Sequence, residues 1–302
     1  MAGALPSGTA RWASLLLWVV PALWSSNYLI ARLAAGVVHP HALAFGRWTM
    51  ALGLMLPFVG VVLWRHRSVL RQEAGQLLVL GTLGMWICGA WVYQGGQTSS
   101  ATNMALIFAA TPVAIAVASV KLLHERMRTA QRLAVVSALA GVLFVIARGD
   151  ISNLLQVRFA AGDAWVLAAA VAWTAYSVLL RRWPSALDPA ARVAAIVSGG
   201  LLVLLPFTLA EWWLLPPLPY PLLGTQALSL MFVAALLPGA LSYVAHSYLQ
   251  RELGAARTAL MLYLAPVYAV ALAWWLLGEV PGWHHAVGAG LILPSIWLAT
   301  RR

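Results

Sequence analysis

The chain has 302 residues, with 9% charged side chains, 62% apolar ones and a mean hydropathy of +0.84. A soluble domain carries about 25% charged residues, so this composition excludes a soluble enzyme or binding module and implies a lipid-embedded protein. The net charge of +11 does not imply nucleic acid, because the arginines sit in short clusters between apolar runs and form no continuous basic stripe; the single cysteine, Cys88, excludes an internal disulfide or a cysteine metal cluster.

A helix needs roughly 20 apolar residues to cross a bilayer. On that criterion ten spans are predicted, at about 12–34, 41–64, 75–96, 99–121, 129–147, 162–182, 190–212, 226–250, 255–277 and 283–300. The first span follows Arg11 as a signal peptide would, but no cleavage site follows it and it has a counterpart in the second half, so it reads as retained. It carries Trp24 and Asn27, expected to face inward. The second span holds Arg47, a charge well inside an apolar run. Such a charge is costly and either functional or paired. It fits a substrate carboxylate, or a bond to the carbonyls of a neighbouring helix near the outer interface, and the second reading is favoured. The third span sets Trp86, Tyr93 and Gln97 on one predicted face, and Gly81, Gly84, Gly89, Gly95 and Gly96 would let helices approach closely.

The fourth span contains Asn103 and Pro112 and leads to Glu125. This pattern recurs in the ninth span, where Tyr263 and Pro266 lead to Glu279, 154 residues further on. Each proline removes one backbone hydrogen bond in mid-span and is expected to kink its helix. Matched Pro–Glu pairs suggest two equivalent gates, built from Pro112 with Glu125 and Pro266 with Glu279. The sixth span holds Trp173 and Tyr176, which with Trp24, Asn27, Asn103 and Tyr263 are expected to complete an inward, cavity-lining set if the repeat axis passes near them. The eighth repeats polar groups at helical spacing, Ser242, His246 and Gln250, with Tyr243 and Ser247 alongside. A polar and aromatic stripe in a lipid-bound helix is expected to turn toward partner helices or a cavity. His246 fits a proton-coupling group or a substrate hydrogen bond, or simply a bond to a neighbouring helix. Trp64, Trp183, Trp212, Trp213 and Trp283 fall at predicted borders and read as an aromatic belt.

The repeat divides the chain into halves, 1–150 and 151–302, of five spans each. Five is odd, so the halves cross in opposite directions. Such inverted repeats are an architecture of secondary transporters. With the N-terminus in the cytoplasm, fifteen of the nineteen lysines and arginines fall inside and only Arg32, Arg148 and Arg158 outside, so both termini are predicted cytoplasmic. None of the eight acidic residues is predicted at mid-membrane, and P-loop, zinc-protease and serine-hydrolase patterns are absent. The chain therefore reads as a transporter, not an enzyme, with no cofactor and no metal. A phosphorylated substrate would need several buried cations. Tryptophan, tyrosine, amide and hydroxyl groups instead suit amino acids, above all aromatic or bulky apolar ones, and secondly lipophilic organic cations.

Several segments carry a family resemblance: Ala-Thr-Pro-Val through His-Glu-Arg (110–126), Ala-Pro-Val through Leu-Gly-Glu (265–279), Leu-Trp-Ser-Ser-Asn (23–27), Ala-Phe-Gly-Arg (44–47), Gly-Asp-Ala-Trp (162–165) and Ala-Trp-Thr-Ala-Tyr (172–176). They resemble the EamA repeats of the drug/metabolite transporter superfamily over almost the whole chain. The overall pattern is similar to YddG-type exporters of aromatic amino acids. The resemblance implies an all-α membrane protein of ten helices in two inverted repeats. It implies metabolite export across the bacterial inner membrane by alternating access. A monomer or homodimer in the lipid bilayer is expected. His124 stands where the family usually has glycine before its first glutamate.

Overall fold

A computed structural model describes residues 7–155, 158–216, 221, 224–277 and 280–300. Ten long helices, α1–α10, account for most of them. They are α1 (Ser7–Ala34), α2 (Pro40–Arg65), α3 (Ala74–Gly96), α4 (Ala101–Ala109 continued by Thr111–Leu122) and α5 (Thr129–Ile146) in the first half. The second half has α6 (Ala161–Arg182), α7 (Pro189–Leu214), α8 (Thr225–Leu253), α9 (Ala255–Ala259, Leu260–Leu264 and Ala265–Leu277) and α10 (Trp283–Thr300). Their bounds lie within a few residues of the predicted spans. Nine stretches among the described residues are long and apolar enough to cross a membrane, and α10, at 18 residues, equals the shortest of them. No strand occurs among the described residues. Lipid offers no hydrogen bonds, so the apolar runs satisfy their backbones as helices.

The helix ends are specified locally. Pro40 and Pro189 open α2 and α7, where a missing N–H costs nothing. Asp188 caps α7 by accepting from Ala190 N and Ala191 N, both at 2.9 Å. Ser100 caps α4 by accepting from Asn103 N.

The core is made of helix pairs that approach closely at glycine. A Cβ on Gly81 of α3 would lie 2.6 Å from the Ile196 carbonyl of α7, and one on Gly95 would lie 2.8 Å from the Gly162 carbonyl of α6. The ring of Tyr176 lies across Gly84. Gly141 and Gly288 do the same for α5 and α10, each facing the other's carbonyl at 3.0 Å. The expected role of the α3 glycines thus holds at positions 81, 84 and 95. Gly96 meets only the Met104 side chain.

Four helices are not regular, and the irregularities fall in matched pairs. A π-helical turn interrupts α3 at Thr82–Ile87 and another interrupts α8 at Leu236–Leu241, 154 residues later. The α-helix of α4 breaks at Ala110, just before Pro112, and α9 tightens to a 3-10 turn over Leu260–Leu264, just before Pro266. The chain is an all-α fold of two five-helix repeats related by inversion. The repeat extends to backbone defects as well as to hydropathy.

Contacts between helix ends agree with this crossing pattern. The Glu211 carboxylate near the end of α7 accepts from His41 N (3.1 Å) and Ala42 N (2.9 Å) at the start of α2, and His41 Nδ1 lies 3.0 Å from it. Asp163 at the start of α6 accepts from Asn103 Nδ2 (2.6 Å), Ala160 N and the Ser99 hydroxyl beside the start of α4. Glu125, after α4, meets the start of α9. Each acidic group lies at a helix end and satisfies backbone amides that would otherwise lack partners.

Candidate functional site

Five rings meet where α1, α6 and α8 pass one another. Trp24 lies edge-on to Trp173 at 5.3 Å between centroids and 5.3 Å from the His246 imidazole. Trp173 stacks on Tyr176 at 5.2 Å and approaches Tyr243 at 5.7 Å and His246 at 5.1 Å. Trp48 of α2 closes the group, 4.8 Å from Tyr243. Edge-to-face pairs of this kind add about 0.5–1.5 kcal/mol each beyond burial. Trp173, Tyr176, Tyr243 and His246 are all buried.

The box is polar inside. Gln250 Nε2 donates to His246 Nε2 (3.3 Å), which places the ring hydrogen on Nδ1. Among the described residues, His246 Nδ1, Tyr176 Oη and Gln250 Oε1 are buried with no hydrogen-bond partner. A buried polar group without a partner costs about 1–3 kcal/mol, so three at one centre require an explanation.

The π turns hold this group in place. A π turn frees backbone carbonyls from the helical ladder. In α3, the Gly84 carbonyl accepts from Tyr243 Oη (3.3 Å) and the Met85 carbonyl accepts from Trp48 Nε1 (3.2 Å). In α8, the Pro238 carbonyl accepts from Arg47 Nη2 (3.0 Å). Arg47 Nη1 also donates to Tyr93 Oη (3.1 Å) and to Asn27 Oδ1 (3.4 Å), and Tyr93 donates to the same Asn27 oxygen (2.6 Å). Arg47 lies seven residues into α2, about 10 Å from its start. It therefore makes the expected carbonyl contact but sits deeper than the interface, in a polar group with Asn27 and Tyr93.

The structure gathers Trp24, Asn27, Tyr93, Trp173, Tyr176, Tyr243 and His246 into one continuous region. Ser247 is buried one residue beyond His246, on an adjoining face of α8. Three expected residues lie elsewhere. Gln97 is exposed at the end of α3, where Gln94 donates to it. The Thr82–Ile87 π turn shifts the helix phase between Trp86 and Tyr93, so those two do not share a face, while Gln97 keeps its spacing from Tyr93 but lies just beyond the last residue of α3. Trp86 instead stacks on Phe207 of α7, 4.0 Å between centroids. Asn103 is buried but satisfied by Asp163 and by the Arg158 carbonyl (2.9 Å). Tyr263 packs with Ala138 and Leu264 in a separate core between α5, α9 and α10, and its hydroxyl has no partner. Trp48 was not anticipated, although it directly follows Arg47.

Of the gate residues, Glu125 accepts from Ala255 N and Ala256 N and pairs with Arg181 Nε at 3.5 Å. His124 before it has a φ of +54°, which explains why glycine suits that position. Pro112 and Pro266 sit at the matched helix breaks. Glu279 lies outside the described residues. A groove of about 810 Å³ between α4 and α5 is an open, aliphatic trough, and none of the rings lines it. Among the described residues no group of three metal-ligating side chains occurs.

The EamA-like transporter family model matches this chain twice, over residues 11–147 and 160–301. The "Uncharacterized transporter YyaM" of Bacillus subtilis (strain 168) is 26% identical over 278 residues, covering 91% of this chain and 89% of that protein. The "Probable terminal-alkyne amino-acid exporter" of Streptantibioticus cattleyicolor is 27% identical over 297 residues, covering 97% and 94%. A solved crystal structure superposes with a TM-score of 0.75 at 21% identity, covering 95% of this chain and 96% of that one, which supports the fold. With a family match in each half and an inverted pair of five-helix repeats around an aromatic centre, the chain belongs to the EamA-like transporter family.

Proposed function

We propose that this chain exports amino acids, aromatic or bulky apolar ones above all, or similar amphipathic metabolites, across the bacterial inner membrane by alternating access. The observation that carries the reading is the box of Trp24, Trp173, Tyr176, Tyr243 and His246, in which Tyr176 Oη and His246 Nδ1 are buried without a protein partner. Ring faces suit an apolar or aromatic side chain, and orphaned donors and acceptors suit an ammonium or carboxylate group. The name of the Streptantibioticus relative supports the same substrate class.

The halves 1–150 and 151–302 act as the two moving units, with both termini cytoplasmic. Glu125, held on the first turn of α9, latches the cytoplasmic side. Pro112 and Pro266 are the hinges, and Glu279, the repeat counterpart of Glu125, serves the opposite side. The protein works without cofactor or metal, as a monomer or homodimer.

Lipophilic organic cations are a second reading, because aromatic faces attract cations. Arg47 weighs against it: a buried positive charge beside the box repels a cationic substrate. Flux of labelled tryptophan, phenylalanine and leucine into proteoliposomes, with tetraphenylphosphonium in parallel, tests both. Protein-dependent amino-acid flux supports the first reading. Flux of the cation alone replaces it with the second, and no flux of any overturns both.

A further inference from the structure

Arg47 is a buried charge beside the aromatic box whose chemistry is incomplete; the Nε of Arg192 is also unpartnered, but that guanidinium takes carbonyls at the end of α6. Arg47 is 4% exposed, and each of its partners is neutral: the Tyr93 hydroxyl, the Asn27 amide oxygen and the Pro238 carbonyl. Its Nε is buried with no partner at all. Among the described residues Glu125 pairs with Arg181 and Glu211 lies against the His41 ring; no carboxylate reaches Arg47. A guanidinium removed from water and left without a counter-ion is unfavourable, and the usual remedy is a two-oxygen anion that takes two of its N–H groups at once.

The neighbours are short of acceptors in the same way. The Tyr93 proton goes to Asn27 Oδ1 at 2.6 Å, and the same oxygen receives Arg47 Nη1. That fixes which end of the Asn27 amide is oxygen, because arginine can only donate. Asn27 is half-buried, and its amide nitrogen donates to no described residue. Arg47 Nε and Asn27 Nδ2 are therefore two donors without an acceptor, beside one uncompensated positive charge.

The position is connected to the rings. The Arg47 guanidinium lies 4.5 Å from the centre of the Trp48 ring, and Trp48 touches Tyr243. Asn27 is one helical turn from Trp24. An acid bound at Arg47 would thus hold its carboxylate at one end of the aromatic box and its side chain within it.

We infer that Arg47, with Asn27, forms the carboxylate subsite of this transporter, so that the substrate class is an amphipathic monocarboxylate whose apolar part enters the aromatic box. The inference rests on the amino-acid export reading and narrows it, and it has a readout of its own. Asn27→Asp places a carboxylate within reach of the guanidinium and fills the subsite from the protein side.

The experiment compares three probes of one shape: phenylalanine, phenylalaninamide without the carboxylate, and 3-phenylpropionate without the ammonium. Binding is read as ligand-induced thermal shift of purified protein, and transport as flux into proteoliposomes. Wild type is expected to favour phenylalanine over its amide by tenfold or more and to bind 3-phenylpropionate. Arg47→Gln should weaken both acids at least tenfold and leave the amide within about twofold, erasing the discrimination. Arg47→Lys should restore part of it. Asn27→Asp should be folded, should lose both acids and should keep the amide, which decides the matter if Arg47→Gln does not fold. Equal weakening of all three probes in these variants, or a wild type that does not distinguish acid from amide, overturns the subsite. Arg47-dependent binding of 3-phenylpropionate without amino-acid flux would leave the subsite standing and remove the export reading instead.

Discussion

Glu125 spans the first turn of α9 with both carboxylate oxygens, Oε1 on the Ala255 amide and Oε2 on the Ala256 amide, each at 3.0 Å. Glu125 follows α4 of the first half and Ala255 opens a helix of the second, so this side chain is one of the links between the repeats. A carboxylate at a helix N-terminus also complements the helix dipole. Replacing a capping side chain by alanine costs about 0.5–2 kcal/mol. In Glu125→Ala, amide exchange over residues 255–259 is therefore expected to quicken by about 2- to 30-fold, with residues 74–96 unchanged. Hydrogen-exchange mass spectrometry checks this, and unchanged exchange at 255–259 would remove Glu125 as a latch.

Gly254 is the residue that lets Glu125 reach. Its φ of +84° and ψ of 167° fall in a region that essentially only glycine occupies, and a Cβ there would stand 2.6 Å from Glu125 Oε1. Gly254→Ala thus combines backbone strain of about 1–3 kcal/mol with displacement of the carboxylate. Its thermal unfolding in detergent should fall below that of Glu125→Ala. Equal or higher stability would mean that the turn relaxes without loss.

Tyr176 and Trp173 separate binding from packing. The Tyr176 hydroxyl has no protein partner, so Tyr176→Phe should leave the unfolding temperature unchanged while raising KM for an amino-acid substrate by about 2- to 10-fold, the worth of one hydrogen bond. Trp173 touches Trp24, Tyr176, Tyr243 and His246. Trp173→Ala should cost about 3–5 kcal/mol of stability and abolish flux. A Tyr176→Phe variant with unaltered KM would place its hydroxyl outside the substrate's reach.

His246 is surrounded by rings and one amide, and no described acidic side chain touches it. Proton relays inside membranes are built from chains of Asp, Glu and His, and no second member of that set touches His246 among the described residues. Amino-acid flux is therefore expected to be the same with and without an imposed pH gradient, in wild type and in His246→Gln alike. Flux that follows the gradient in wild type and loses that dependence in His246→Gln would establish coupling through this residue.

The spans were legible in the sequence because a run of apolar residues has one stable form in lipid, and the stripe Ser242–His246–Gln250 was legible because it starts after the π turn of α8 and keeps a regular spacing. The shared face of Trp86 and Tyr93 was misread for the opposite reason. It straddles the end of the Thr82–Ile87 turn, and no local residue pattern announces the extra residue. Arg47 was visible as a charge in a span, but its depth became clear only from Tyr93 and Pro238, which lie 46 and 191 residues away in the chain. Asn103 was taken as inward because it is polar; the carboxylate that satisfies it, Asp163, belongs to the other half.

The two π turns also carry a historical consequence. Each is one residue too many for a regular helix, and they occupy equivalent positions in α3 and α8. A single insertion copied by gene duplication accounts for both, whereas two separate insertions would have had to strike the same site twice. The irregular turn is then older than the two-halved chain. A five-helix chain carrying one such turn would place two of them around a single centre only by pairing with an inverted copy of itself.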